Sequence, residues 1–260
     1  MTKSIELKIE NNTAWLTLNR PEVFNSFNRE MALRLQDELD ACEANPDVRA
    51  IVLSGNGKAF CAGQDLKEVT TPELHPGFKK ILEEHYNPII TRIRSIEKPI
   101  IAAVNGVAAG AGANIALACD IVVASERASF IQAFSKIGLV PDSAGTFFLP
   151  RLIGFQRASA LMMLGEKVLA GDAEKMGMIY KMYAAEDFNL EVVALAQKLS
   201  KMPTKALGLT KRLLNQSLTN DVTGQLELEL KSQIEAAESD DYAEGVRAFM
   251  EKRKPVFTGK

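Results

Sequence analysis

Apolar positions along the chain follow two periods, and the change from one to the other divides it. Ala14 to Leu18 alternates apolar and polar residues as a half-buried strand does. Ile51-Val52-Leu53, Ile100-Ile101-Ala102-Ala103-Val104 and Ile121-Val122-Val123 are short apolar runs closed by Gly, Asn or Asp, the signature of buried strands. Between the first two, Met31, Leu35, Leu39 and Cys42 recur at helical spacing, with Asn28 placed to cap the helix and Asn45-Pro46-Asp47 to end it. Phe78 to Ile96 is again helical in pattern, and Pro88 inside it predicts a kink or a split. From about Phe155 strand signals become few. Three amphipathic helices are predicted from Leu190 onward, carried by Val192, Val193, Leu195 and Leu199, by Leu207, Leu213 and Leu214, and by Leu226, Leu230 and Ile234; one opens at Met202-Pro203, where proline suits a first turn. The pattern is that of an α/β core followed by a helical C-terminal part.

Composition narrows the class. The chain has 260 residues, 47% hydrophobic and 25% charged, with a formal net charge of −2. By surface scaling a chain of this mass buries about three quarters of its surface, so disulfides are unnecessary. Cys42, Cys61 and Cys119 are an odd set without CxxC spacing, which predicts reduced thiols in a cytoplasmic setting and no zinc framework. Met1-Thr2-Lys3-Ser4-Ile5-Glu6 lacks the basic start and long apolar run of a secretion signal. The most apolar segment, Pro99 to Ala118, is rich in Gly and Ala and carries Asn105 and Asn114, so it reads as core rather than as a membrane span. With a pI near 5.9 no electrostatic footprint for nucleic acid is expected. The one basic cluster, Lys201, Lys205, Lys211 and Arg212, is followed by Glu227, Glu229, Glu235 and Glu238 and reads as a solvated helix face.

Several chemistries fail on their residues. His75 and His85 lie in charged, loop-like or helix-surface contexts and no GxSxG elbow exists, so a Ser-His or Cys-His nucleophile is unsupported. The run Gly106 to Gly112 follows a strand but is spaced GxxxGxG, not GxGxxG, and no GxxxxGK[ST] is present. Its small residues precede the short helical stretch Asn114 to Cys119, and two readings stay open: tight helix–strand packing, or free backbone N–H groups that receive an anion or a developing oxyanion. A second glycine-rich loop, Ser54 to Leu66, is either of the same kind or a plain connection with Asp65 as a helix cap. Asp142, in Gly138-Leu139-Val140-Pro141-Asp142-Ser143-Ala144-Gly145-Thr146, is either a cap or, among apolar neighbours, a carboxyl with a raised pKa that can carry a proton.

Along nearly its whole length the chain resembles the crotonase (enoyl-CoA hydratase/isomerase) superfamily, through Asn19-Arg20-Pro21, Gly57-Lys58-Ala59-Phe60-Cys61-Ala62-Gly63-Gln64-Asp65-Leu66, Lys98 to Gly106, and Cys119-Asp120. The resemblance implies an α/β spiral of ββα units over residues 1–200 that holds the coenzyme A and catalytic site, and a helical trimerisation region over 201–260. It also implies a homo-oligomer, trimer or dimer of trimers, and an acyl-CoA thioester substrate whose coenzyme A is part of the substrate, with no further cofactor and no metal. By motif position the backbone N–H groups of Gln64 and Ala111 form an oxyanion hole, and their side chains are free to vary if small or turned away. Val23, Phe24, Ala62, Gly63, Asp65, Leu66, Gly110, Asn114, Phe134, Phe249 and Lys252 fall where the family contacts coenzyme A or the acyl group. Two alanines, Ala111 and Ala144, stand where many relatives have glycine.

Hydratases of the superfamily carry two glutamates, and here those positions hold Asn114 and Phe134. An amide is no general base and a phenyl ring holds no water, so hydration is not expected, whereas Asp142 stands where family isomerases have a carboxylate. The runs Gly106 to Asn114, Phe130 to Phe134 and Ile137 to Ser143 are most similar to superfamily isomerases that convert ring-1,2-epoxyphenylacetyl-CoA to an oxepin and shift a 3,4 double bond to 2,3. Phe130, Phe134, Phe147 and Phe148 are expected to shape a pocket for a planar ring. A general Δ3,Δ2-enoyl-CoA isomerase would use the same Asp142 and hole, and a non-catalytic acyl-CoA- or RNA-binding relative is the reading from another class.

Overall fold

The computed structural model describes residues 3–260. Its main sheet sets β1 (Ile5–Glu10), β2 (Thr13–Leu18), β3 (Ala50–Gly55), β5 (Ile100–Val104), β7 (Ile121–Ser125) and β10 (Lys181–Tyr183) side by side in that order, parallel except for β1 against β2. A second sheet orders β4 (Ala59–Cys61), β6 (Val107–Ala109), β8 (Ser129–Ile131) and β9 (Lys167–Leu169), with β9 antiparallel. Three times the chain gives one strand to each sheet and then turns into helix: β3 and β4, β5 and β6, β7 and β8. This is the expected spiral of ββα units.

The runs of apolar residues in β3 and β5 arise because helices cover both faces of the main sheet. Ile51, Leu53, Ile100 and Ala102 point into the principal core, which α1 (Arg29–Ala44) enters with Met31, Leu35 and Leu39. The alternate residues Val52, Ile101 and Ala103 pack under α9 (Phe188–Ser200), through Phe188, Val192 and Ala196. Full burial of each large apolar side chain is worth about 1.5–3 kcal/mol. The predicted caps of α1 are present: Asn28 Oδ1 accepts the Met31 N–H at 3.0 Å, and the helix stops at Ala44. There the ammonium of Lys98 donates to the carbonyls of Cys42, Glu43 and Asn45 at 2.7–2.9 Å, filling the negative end of the helix.

The helical stretch that Pro88 was expected to split is α3 (Phe78–Lys80), a π-helical turn Ile81–Tyr86, and α4 (Asn87–Ser95), with Pro88 in the first turn of α4. The wider turn carries both His85 and Tyr86 fully inside. His85 is therefore not on a helix surface, and burial lowers its pKa.

Two further expectations are corrected. Four helices, not three, follow residue 187: α9, α10 (Thr204–Ser217), α11 (Val222–Ala237) and α12 (Asp240–Met250). Lys211 is buried rather than solvated, paired with Asp120 at 2.8 Å, and Arg212 bonds Glu97 and Glu235. The cause is a close approach at Gly208 of α10, where a Cβ would stand 2.4 Å from the Glu97 carbonyl oxygen. Among the described residues no helix is long and apolar enough to cross a membrane.

Candidate active site

The loop after β4 is fixed from one side by Phe27. The Phe27 N–H donates to the Gly63 carbonyl at 2.7 Å, and the Asp65 N–H donates to the Phe27 carbonyl at 2.8 Å. These bonds use the groups on either side of Gln64, so the Gln64 N–H faces away from Phe27 and, among the described residues, donates to no protein acceptor. The second loop turns from β6 into α5 (Ala111–Ala118) at Gly110, whose φ of 54° and ψ of −128° suit only glycine. That turn leaves the Ala111 N–H in the first turn of α5, where no helical acceptor exists. The two loops touch: a Cβ on Gly63 would stand 3.0 Å from the Ala109 carbonyl and 3.4 Å from the Ala111 nitrogen. Two amides that are unpaired among the described residues are thus held beside the positive end of α5, an arrangement chemically suited to an oxyanion. The small-residue run divides its duties by residue. Gly112 serves packing, since a Cβ there would meet the Cys61 carbonyl at 2.4 Å, while Gly110 and Ala111 expose the amide.

The Asn19-Arg20-Pro21 motif braces this hole. Arg20 Nη2 pairs with Asp65 at 2.8 Å, and Asp65 Oδ1 accepts the Lys67 N–H at 3.0 Å to cap α2 (Leu66–Thr70). Asp65 is therefore committed to the frame. The Ala62 N–H donates to the Phe24 carbonyl at 3.0 Å, which brings Val23 and Phe24 next to Ala62 and Gly63. Phe24 adopts a left-handed backbone, φ 54°, and its ring is 51% exposed, so it is not a core residue; Leu66 is also exposed.

Asp142 is no helix cap: α6 (Gly145–Ile153) starts after Ala144, without a side-chain cap. The Asp142 turn contains two successive left-handed residues, Ser143 at φ 50° and Ala144 at φ 57°, each costing on the order of 1–2 kcal/mol. It is pinned by Asn114, whose Nδ2 donates to the Asp142 carbonyl at 2.8 Å and whose Oδ1 accepts from Gln132 Nε2 at 2.7 Å. A Cβ on Gly145 would fall 2.3 Å from Asn114 Nδ2, so only glycine lets this strut reach the turn. The Asp142 carboxylate accepts one bond, from Ser143 Oγ at 2.9 Å. Burial pushes its pKa up from 3.8 to about 6, against a lowering by the Ser143 hydroxyl.

Phe134 is buried, with its ring 3.7 Å from where a Gly110 Cβ would be, forming a wall beside the hole. Phe130 belongs to the core. Phe147 and Phe148 turn to cations, Arg151 at 3.8 Å and Arg94 at 5.3 Å, and line a groove with Ile90 and Leu218. Phe249, 82% exposed, and Lys252 stand at the outer surface of α12 and its end. Cys61 and Cys119 are buried thiols pushed up to about 12, unsuited to nucleophilic work at neutral pH.

Tyr86 is the residue that the sequence pattern did not reveal. Its hydroxyl donates to Gln64 Oε1 at 2.8 Å, and Gln64 Nε2 donates to Glu68 Oε2 at 2.7 Å. The Gln64 side chain is therefore held at both polar atoms rather than merely turned away.

The Enoyl-CoA hydratase/isomerase family profile matches residues 8–260. A 1,2-epoxyphenylacetyl-CoA isomerase of Escherichia coli is 45% identical to this chain, with all of both chains covered. A trans-2-decenoyl-[acyl-carrier-protein] isomerase of Streptococcus mutans is 35% identical over 99% of each. The crystal structure of an enoyl-CoA hydratase from Polaromonas superposes with a TM-score of 0.90 at 34% identity, covering 97% of this chain and 99% of that one. The paired loop amides, the ββα spiral and these full-length likenesses have one meaning: the chain belongs to the enoyl-CoA hydratase/isomerase family.

Proposed function

We propose that the protein is an acyl-CoA isomerase acting on ring-1,2-epoxyphenylacetyl-CoA, converting the ring epoxide to the oxepin and also shifting a 3,4 double bond to 2,3. The observation that carries the isomerase reading is the carboxyl of Asp142, raised to about 6 and anchored to the helix that supplies the Ala111 amide; the double-bond shift uses it as a proton carrier, whereas the epoxide-to-oxepin step involves no net proton transfer. In the double-bond shift, carboxylate Asp142 takes a proton from the carbon next to the thioester carbonyl. The C–H electron pair moves into the carbonyl, whose oxygen becomes an enolate held by the Gln64 and Ala111 N–H groups. Collapse of the enolate draws the 3,4 double bond to 2,3 while Asp142 returns the proton to the fourth carbon. One removed donor of such a hole typically costs about 2.7–4 kcal/mol of barrier. Asn114 and Phe134 supply no carboxylate to activate water, which argues against hydration.

The identity with the Escherichia coli isomerase supports the epoxide substrate, and the likeness to the Streptococcus mutans isomerase supports a second reading, double-bond isomerisation of a linear acyl chain. In either case coenzyme A arrives with the substrate, no cofactor or metal is required, and the enzyme works in the cytoplasm. We also propose self-association into a trimer or dimer of trimers through the helical region 201–260. The exposed surface of 13694 Å² exceeds the roughly 11,000 Å² expected for a compact monomer of this mass, and Val222, Leu226, Leu230 and Ile234 form an exposed apolar stripe on α11.

The test is kcat/KM for ring-epoxidised phenylacetyl-CoA, generated in situ, against a linear 3-enoyl-CoA, each with the wild type and Asp142→Asn. Preference for the epoxide supports the substrate reading, and the variant then shows whether Asp142 is chemically required for that step. Turnover of the linear substrate alone moves the protein to general isomerisation, and turnover of neither overturns both.

A further inference from the structure

Resting on the reading of Gln64 and Ala111 as the oxyanion hole, we infer that Tyr86 is a positioning residue: its hydroxyl, through the Gln64 side chain, sets the aim of the Gln64 N–H at the thioester oxygen. Gln64 lies in a loop, and the two bonds to Phe27 hold it from one side only, through its neighbours Gly63 and Asp65. Those bonds leave the peptide of Gln64 free to rock about the line joining them. The remaining restraint comes through the side chain. Tyr86 Oη donates to Oε1 at 2.8 Å and Nε2 donates to Glu68 Oε2 at 2.7 Å, so both ends of the carboxamide are tied. Glu68 is itself tied, since its Oε1 accepts the Arg29 N–H at 2.8 Å in the first turn of α1, where the helix dipole favours an anion. A continuous chain of bonds runs from α1 through Glu68 and Gln64 to Tyr86.

Tyr86 is suited to be its fixed end. It is fully buried, packs edge-on to Phe27 with ring centroids 6.0 Å apart, and is carried inward by the π-helical turn, a form that often marks functional positions. Phe27 thus touches Gln64's neighbours through its backbone and Tyr86 through its ring, and the two restraints close on each other. Burial also holds the Tyr86 hydroxyl well above its ordinary pKa, so it remains a donor throughout the working range. Nothing in this arrangement moves a proton to or from substrate. Its effect is to keep a hydrogen-bond donor aimed where charge develops, and errors of tenths of an ångström in such donors are felt in kcat rather than in binding.

The experiment reads the hole directly. Phenylacetyl-CoA labelled with 13C at the thioester carbonyl binds without reacting, and difference infrared spectroscopy reports the drop in carbonyl stretching frequency that the two amides impose. Tyr86→Phe keeps the buried ring and removes only the hydroxyl; it is expected to lose part of that drop and to lower kcat about three- to tenfold, with KM changed less than twofold. Gln64→Met, of similar volume, is expected to do the same, and the double variant to be no worse than the more impaired single one. Full retention of the frequency drop and of kcat in Tyr86→Phe would overturn the inference, as would additive losses in the double variant, which would mean that Tyr86 acts on substrate by another route. A wild type that leaves the carbonyl frequency unshifted would instead remove the oxyanion hole itself, and this inference with it. Circular dichroism of each variant separates these outcomes from misfolding, and if Tyr86→Phe misfolds, Gln64→Met, which leaves the buried ring in place and removes both carboxamide bonds, gives the second measurement: partial loss of the frequency drop supports the inference and its full retention overturns it.

Discussion

A carboxyl whose pKa is raised by folding works against the fold at neutral pH, so Asp142→Asn is expected to inactivate the enzyme and stabilise it at once. Asp142 moves from 3.8 to about 6, and at 1.36 kcal/mol per unit that difference is about 3 kcal/mol. The sign follows from proton binding. Between pH 4 and 6 the folded state binds more protons than the unfolded one, so the wild type loses stability as pH rises through that window. Above about pH 7 the whole penalty is present, and in strong acid, with both states protonated, it vanishes. Asparagine keeps the turn and can still accept the Ser143 hydroxyl, but it carries no charge to desolvate. The variant should therefore be more stable by about 3 kcal/mol at pH 7.5 and by only about 1 kcal/mol at pH 4.5. For a chain of this size the larger figure is on the order of 6 °C in Tm. Thermal unfolding followed by circular dichroism at both pH values, at one fixed protein concentration, measures it. An Asn variant no more stable than the wild type at pH 7.5, or a gain that fails to shrink in acid, would refute the argument that burial rather than a hidden cation sets this carboxyl.

The same shift fixes the rate profile: kcat/KM should fall about tenfold per unit below about pH 6, stand near half its plateau at pH 6, and be level by pH 7.5, so a profile flat from 5 to 8 would exclude Asp142 as the base. Gly145→Ala puts a methyl 2.3 Å from Asn114 Nδ2 and must displace the strut; turnover is expected to drop about a hundredfold while the far-ultraviolet spectrum stays that of the wild type. Lys211→Met leaves half-buried Asp120 with Arg94 at 3.2 Å as its remaining cation, and urea unfolding should show a loss of about 2 kcal/mol, short of the roughly 3–5 kcal/mol for a buried charge left without a partner.

The sequence was most legible where burial is two-sided or periodic. Ile51 to Leu53 and Ile100 to Val104 are continuous apolar runs because helices cover both faces of their sheet, and Asn28 caps α1 as its position before an amphipathic run predicts. The strands of the second sheet have three residues each, too few for any period to show, and β1 mixes Lys and Glu into an edge that is largely exposed. The loops that make the hole could be picked out by their glycines, but which glycine serves packing and which exposes an amide depends on where Cys61 and Ala109 lie, residues distant in the chain. Lys211 and His85 lie inside for a related reason. Each sits in a polar stretch, and only the close approach at Gly208 and the wide turn before Pro88 turn those side chains inward.

What the sequence states least directly is how the site's unfavourable terms are supported. Asp142 combines a desolvated carboxyl of about 3 kcal/mol with two left-handed residues, Ser143 and Ala144, of about 1–2 kcal/mol each, so the turn would relax if left to itself. The restraint is applied chiefly to its backbone, and the carboxylate itself takes only the Ser143 hydroxyl. Asn114 takes the Asp142 carbonyl, Gln132 takes Asn114, and the Gly145 N–H closes back on the Asp142 carbonyl at 2.9 Å. Further donors on the carboxylate, beyond the Ser143 hydroxyl, would lower its pKa and take it out of the range in which a carboxyl exchanges a proton near neutrality. Position 114 is thereby occupied by a group that must donate to a carbonyl oxygen, a duty a glutamate there could not perform when ionised. On the proposed reading, the amide that stands in place of a hydratase's carboxylate is the same amide that holds the turn of Asp142, so one side chain of α5 both withholds a water-activating group and positions the remaining carboxyl.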